Sequence, residues 1–271
     1  MKKGMKLGLG TAVLLAAGAL VAQEQTQTFN SAADWKAHLP KLQSAISEAD
    51  GLLTVKGPAG VMLIGKKFKI DPAKKYTLKL SVQANNAEGK VSSLVFAGFN
   101  VFDEKGRQIN SNNVCIVADT LTEVAADAAK GSKVIAVKDG SKFKTGYKSI
   151  VANAKEDLSD LPNFNVLGDV KAVEQKGDVW EITLTRPLSK DIKAGTMIRE
   201  HSQNGFLYTA GARGVGQQLI TMKGTITGEN RGIWKSTAWP TGAVTAQIII
   251  LTNWQHKKID TQFKDITLTV E

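Results

Sequence analysis

The stretch that decides the fold reads Tyr76-Thr77-Leu78-Lys79-Leu80-Ser81-Val82-Gln83. Tyr76, Leu78, Leu80 and Val82 alternate with polar partners at a period of two, the pattern of a half-buried strand. The next stretch, Leu94 to Phe102, is apolar on both faces, with Leu94, Phe96 and Phe102 set against Val95, Phe99 and Val101. That reads as a central strand covered on both sides. Asp103-Glu104-Lys105-Gly106 then makes a turn, and Ile109 begins the return. Further along, Trp180, Ile182 and Leu184 alternate with Glu181, Thr183 and Thr185. Gln247 to Trp254 is a second two-faced strand, and Ile266, Leu268 and Val270 alternate to the end of the chain. Thr28 to Ser47 is the one candidate helix region, and Pro40 breaks it. Many short strands with Gly and Asp turns predict an all-β sandwich or barrel.

Composition bounds the possibilities. The chain has 271 residues, of which 42% are hydrophobic and 22% charged, so it is globular and neither disordered nor fibrous. A single cysteine, Cys115, excludes an intrachain disulfide and a cysteine-based zinc site. The net charge is +10, carried almost wholly by lysine, with arginine only at 107, 186, 199, 213 and 231. Nucleic-acid readers favour arginine forks, so dispersed lysines read as a solvated surface and no nucleic-acid partner is expected.

Residues 1 to 22 are read as a signal peptide. Lys2, Lys3 and Lys6 precede an uncharged run from Leu7 to Val21, and small residues end at Ala22. The run is shorter than the roughly 20 apolar residues a spanning helix needs. The expectation is an exported protein, periplasmic, cell-surface or secreted, with no membrane span after cleavage.

The middle of the chain has a different texture. Val134 to Val137, Phe143 and Gly146 follow one another as strand, turn and strand entry. Trp180 to Leu184, then Arg186-Pro187-Leu188 and Ala194-Gly195, repeat that logic loosely. Residues 116 to 205 are therefore read as a small β-barrel-like insert, with Asp157 to Asn165 as its long loop. Residues 23 to 115 and 206 to 271 are read as two parts of one discontinuous sandwich.

Those flanks carry a resemblance. Phe68 to Val82, then Phe96 to Ile109, Val244 to Asn253 and Phe263 to Leu268 resemble successive strands of carbohydrate-binding-module-like, or galactose-binding-like, jelly rolls. The resemblance covers most of both flanks and none of the insert. It implies a jelly-roll β-sandwich with a glycan or cell-surface polysaccharide as partner. It also implies a structural calcium, with Asp265 at the ligand position of the closing strand. The preceding residue here is Lys264, where that family often carries a second acid.

A pyranose has a C–H face and a polar rim, so a sugar site pairs aromatic platforms with amides and charged groups. Trp234, Trp239 and Tyr208 are the expected platforms, with Asn230 and Arg231 taking hydroxyls. Trp254, at a strand end, is read as core, as are Trp180 and Trp35. Glycosidase chemistry needs two carboxyls about 5 to 10 Å apart. Asp157 and Asp160 are the candidates, set in a polar loop, and no Gly-x-Ser-x-Gly elbow is present. The first reading is a non-catalytic carbohydrate-binding protein. Two others stand beside it: a structural or adhesive envelope protein that contacts other proteins, and a polysaccharide-degrading enzyme.

Overall fold

A computed structural model describes residues 24–57, 60–85, 93–254 and 259–271, so the expected export segment lies outside the described residues. The first strands are β1 (Gln25–Thr28), β2 (Lys36–Ala37), β3 (Ile46–Ala49), β4 (Leu52–Val55) and β5 (Val61–Lys69). They are followed by β6 (Tyr76–Asn85), β7 (Ser93–Phe102), β8 (Gln108–Ile109) and the one-turn helix α1 (Ser111–Val114). The middle holds β9 (Thr122–Glu123), β10 (Val134–Val137), β11 (Lys148–Ala152), β12 (Val166–Lys176), β13 (Val179–Leu184) and β14 (Met197–Ser202). The chain ends with β15 (Leu207–Val215), β16 (Ile220–Ile226), β17 (Glu229–Asn230), β18 (Trp239–Pro240), β19 (Thr245–Trp254) and β20 (Asp260–Val270).

Two antiparallel sheets form the sandwich. One runs β16-β6-β20-β4-β3 with β1 on the far part of β20, and the other runs β15-β7-β19-β5-β2 with β8 on β7. The late strands are not appended at the edges. β20 lies between β6 and β4, and β19 lies between β7 and β5. The alternation in β6 does what its pattern requires: Leu78, Leu80 and Val82 are fully buried and meet Val95, Ala97 and Phe99 of the facing sheet in one core. Each such side chain contributes roughly 1.5–3 kcal/mol by leaving water. The fold is thus an all-β sandwich.

Two local departures from simple alternation matter. In β20 the register shifts between Lys264 and Thr267, and Asp265 takes a left-handed φ of 52°. This bulge lets Phe263 and Ile266 both reach the core, three residues apart, while Asp265 is left exposed. Asn30 Oδ1 accepts the Ile266 N–H that the bulge would otherwise orphan. The expected helix region, Thr28 to Ser47, is instead two 3-10 turns, Ala32–Asp34 and Pro40–Ala45, around the short strand β2. Pro40 starts the second turn, and β2 pairs with Leu63 and Ile64 of β5, so sheet-edge pairing wins over helix continuation.

The middle strands make a third sheet, β10-β13-β12-β11-β14-β9, over a separate core that includes Ile135, Ile150, Ile182 and Ile198. Its edges meet at a single bridge, Val124 to Val137, with the Ala125 N–H donating to Ala136 O at 2.8 Å. This corrects the barrel-like expectation: the sheet curls until its edges touch without closing as a laddered barrel.

A buried polar cluster ties this sheet to the loop before β12 and to α1. Arg199 Nη2 donates to Asp160 Oδ2 at 2.8 Å, Arg199 Nη1 to the Lys155 carbonyl at 2.9 Å, and Asn163 Nδ2 to Asp160 Oδ2 at 2.9 Å. Arg199 Nε donates to His201 Nε2 at 3.1 Å, so the His201 proton sits on Nδ1, which donates to the Asn112 carbonyl at 2.9 Å. Burial, and then the Arg199 charge, push the His201 imidazole from 6.5 down to about 4. The contribution of this residue to stability is complete above pH 6.5. It is lost as pH falls toward 4, where the unfolded chain binds a proton that the folded one refuses. The loss amounts to about 3 kcal/mol. Glu200 works the other way, because burial raises its carboxyl and the folded chain takes that proton more readily. His201→Gln keeps an acceptor for Arg199 and removes the titration. Wild-type stability should therefore fall by about 3 kcal/mol relative to this variant between pH 6.5 and pH 4. Urea unfolding across that range checks it, and parallel curves for the two proteins would rule the mechanism out.

Candidate functional site

The site is built on the outer face of the β15-β7-β19-β5-β2 sheet. In β7 the inward residues are Val95, Ala97 and Phe99, so Phe96 points out. Across the ladders Phe96 pairs with Leu251 of β19, and Leu251 pairs with Met62 of β5. Met62, Leu251 and Phe96 therefore form an apolar floor three strands wide. Two walls rise from it. Trp254, at the end of β19, is 51% exposed. Phe206 and Tyr208, where β15 begins, stand opposite, with ring centroids 5.9 Å apart, and the Tyr208 ring lies 4.9 Å from Phe96. The enclosed groove has a volume of about 750 Å³, within the range of roughly 300–1,000 Å³ typical of small-molecule sites.

Local backbone chemistry positions both walls. A side chain at Gly98 would put a Cβ 2.6 Å from the Tyr208 Cα and 2.0 Å from the Leu207 carbonyl oxygen. Only glycine lets β15 press this closely on β7, and that approach sets where the Tyr208 ring emerges. Burial pushes the Tyr208 phenol up to about 12, so its hydroxyl stays protonated and able to donate. On the opposite wall, Asn253 takes a left-handed φ of 57° and the β19 register shifts between Leu251 and Trp254. That shift turns Trp254 outward. Asn253 itself is buried. Its Oδ1 accepts from Ser93, Thr252 and Thr261, while its Nδ2 has no partner among the described residues.

The expected site residues fall in three places. Tyr208 lines the groove. Trp239 is fully buried, with ring centroids 5.3 Å from Tyr76 and 5.2 Å from Phe99, and this overturns its reading as an exposed stacking platform. The physical reason is the parallel pairing of β17 with β18: the Trp239 backbone N–H donates to the Gly228 carbonyl, and the strap folds its indole into the sandwich. Trp234 is half-buried against the same core, Arg231 is exposed, and Asn230 gives its carbonyl to the Thr241 N–H and hydroxyl. None of these three lines the groove. Asp265, the expected calcium ligand, lies away from the groove. It is exposed on its bulge, and among the described residues no three His, Cys, Asp or Glu side chains converge. Asp160 is buried against Arg199 and Asn163, so it does not join Asp157 as a pair of free carboxyls. Trp254, expected in the core, is instead a wall of the groove. The signal for it was the Asn-Trp step at the strand end, since asparagine adopts left-handed backbone far more readily than most residues.

The chain matches no protein-family model and no curated protein.

Proposed function

We propose that this is an exported, non-catalytic glycan-binding protein, and that the sugar lies in the groove between Trp254 and the Phe206–Tyr208 wall. The observation that carries the reading is the gathering of Phe96, Phe206, Tyr208 and Trp254 in one groove on the outer face of a sandwich. A sandwich normally keeps such rings in its core, and an exposed apolar patch marks a contact surface. Aromatic faces suit the C–H face of a pyranose, while the Tyr208 hydroxyl suits its polar rim. Among the described residues no Lys, Arg, Asp or Glu lines the groove, which favours an uncharged ligand.

The test is affinity electrophoresis through gels containing neutral polysaccharides, with pull-down on insoluble ones. Retardation by at least one polysaccharide is expected. Trp254→Ala should weaken it roughly tenfold or more, the usual effect of losing an aromatic anchor. Trp234→Ala should leave it unchanged. Because Trp254 is half exposed, its removal should not alter the unfolding midpoint. If retardation is equal with and without Trp254, the groove is not the sugar site; if no polysaccharide retards the protein, the reading gives way to a protein-contacting envelope role.

A further inference from the structure

We infer that the bound glycan is a neutral chain long enough to leave the aromatic groove and cross Gly205 onto a second cleft, where Tyr147 supplies the outer platform. This rests on the glycan reading above and deepens it.

The second cleft, about 400 Å³, is lined by Asn110, Ser111, Asn112, Tyr147, Gln203 and Asn204. Gly205 and Phe206 line both spaces, so the two are continuous along the surface. The chemistry changes along the way, from an apolar floor between rings to a bed of amides. Such a sequence of surfaces suits a repeating ligand that shows ring faces at one point and hydroxyl edges at the next. Each space alone falls within the size range of a single small ligand, so a lone sugar ring would leave one of them empty.

Tyr147 is the second, independent observation. It is 83% exposed, the most exposed large hydrophobic side chain among the described residues, and it stands at a left-handed φ of 53°. A bulky residue held in that region at the surface is a true outlier, and such strain gathers at ligand clamps. Its backbone is fixed by the Gln203 N–H, which donates to the Tyr147 carbonyl at 2.7 Å. The Gln203 side chain is fixed in turn, donating through Nε2 to Ser149 Oγ at 2.7 Å and to Asp169. Tyr147 directly precedes β11 of the third sheet, whereas Tyr208 and Trp254 belong to the sandwich. The hydrogen bonds that tie α1 and Cys115 to β14, from Ser202 N–H to the Cys115 carbonyl and from His201 Nδ1 to the Asn112 carbonyl, would thus also align the two halves of one binding track. Among the described residues no Lys, Arg, Asp or Glu side chain lines either cleft, which is the ground for taking the ligand as neutral.

The experiment is calorimetric titration of the purified full chain with cello-, laminari- and malto-oligosaccharides, from disaccharide to hexasaccharide, and with oligogalacturonate as the charged comparison. For the series that binds, affinity should rise about tenfold or more from disaccharide to hexasaccharide. Tyr147→Ala should lose roughly tenfold on the hexasaccharide, the scale of one stacking platform, and nothing on the disaccharide. Trp254→Ala should weaken both. If Tyr147→Ala binds the hexasaccharide like wild type, or affinity stops rising at the disaccharide, the extended track is wrong and the groove reading survives. Tighter binding of oligogalacturonate than of any neutral chain would overturn the neutral assignment. Failure of every chain to bind wild type would end both the groove reading and this one.

Discussion

Replacing Trp239 with alanine should cost about 3–5 kcal/mol, the range for deleting a large buried aromatic. Trp239 is fully buried where the two sheets meet, edge-on to Tyr76 at 5.3 Å and tilted against Phe99 at 5.2 Å. Phe68 extends the same aromatic cluster, 5.9 Å from Tyr76 and 6.0 Å from Phe99. Alanine would leave a hole bounded by rings that cannot easily collapse into it, because β6 and β7 hold their backbones in two different sheets. A whole domain is stable by only about 5–15 kcal/mol, so the variant would be marginal. A second substitution separates packing from polarity. The Trp239 Nε1 hydrogen is buried without a partner among the described residues. Trp239→Phe removes that unpaired donor and keeps most of the ring contact, so it should cost distinctly less than alanine. Denaturant unfolding at neutral pH gives both values. A change within about 0.5 kcal/mol for Trp239→Ala would match an ordinary surface residue and contradict the placement.

Trp239 also shows where the sequence is legible. The strands β6 and β13 can be read almost to the residue, because apolar and polar residues alternate along them, while β10 is found as the short apolar run Val134 to Val137. The tryptophans resist the same treatment. Gly228 to Gly242 has the composition of a surface loop, yet the two-residue parallel pair Glu229–Trp239 and Asn230–Pro240 pulls part of it inward. A pairing so short leaves no periodic trace. Trp254 errs in the opposite direction. Extrapolating the two-faced pattern of Gln247 to Leu251 buries it, and the left-handed Asn253 cancels that extrapolation. Tyr208 was legible as a candidate, but the groove was not. Its floor and walls come from Met62, Phe96, Phe206, Leu251 and Trp254, on four separate segments whose neighbourhood exists only through strand order. The Asp157 and Asp160 pair looked symmetrical in sequence. The fold separates them, leaving Asp157 exposed to cap the Ser159 N–H and burying Asp160.

Asp160→Asn should therefore act on stability, at about 3–5 kcal/mol, the cost of leaving one member of a buried ion pair without its counter-charge. The Arg199 side chain is 4% exposed and that of Asp160 6%, and the pair is held at 2.8 Å. Asparagine keeps the shape of the site and leaves the guanidinium buried with carbonyl, imidazole and amide neighbours, none of them an anion. The Asp160 carboxylate also receives the Lys155 N–H at 3.1 Å and the Asn163 amide at 2.9 Å, and Asn163 in turn binds the carbonyl of Ala152 at the end of β11. The loss should therefore loosen the third sheet and its loop ahead of the sandwich core, seen as faster amide exchange in β11 and β14. A double variant, Asp160→Asn with Arg199→Met, removes the stranded charge together with its partner and should recover much of the loss, since hydrophobic replacement of a buried pair is often close to neutral. The polysaccharide-degrading alternative makes the opposite forecast: a catalytic Asp160 would abolish product release and leave the unfolding midpoint nearly unchanged. A stability change below about 1 kcal/mol for Asp160→Asn would remove the structural role argued for this pair and return the residue to the list of candidate acids.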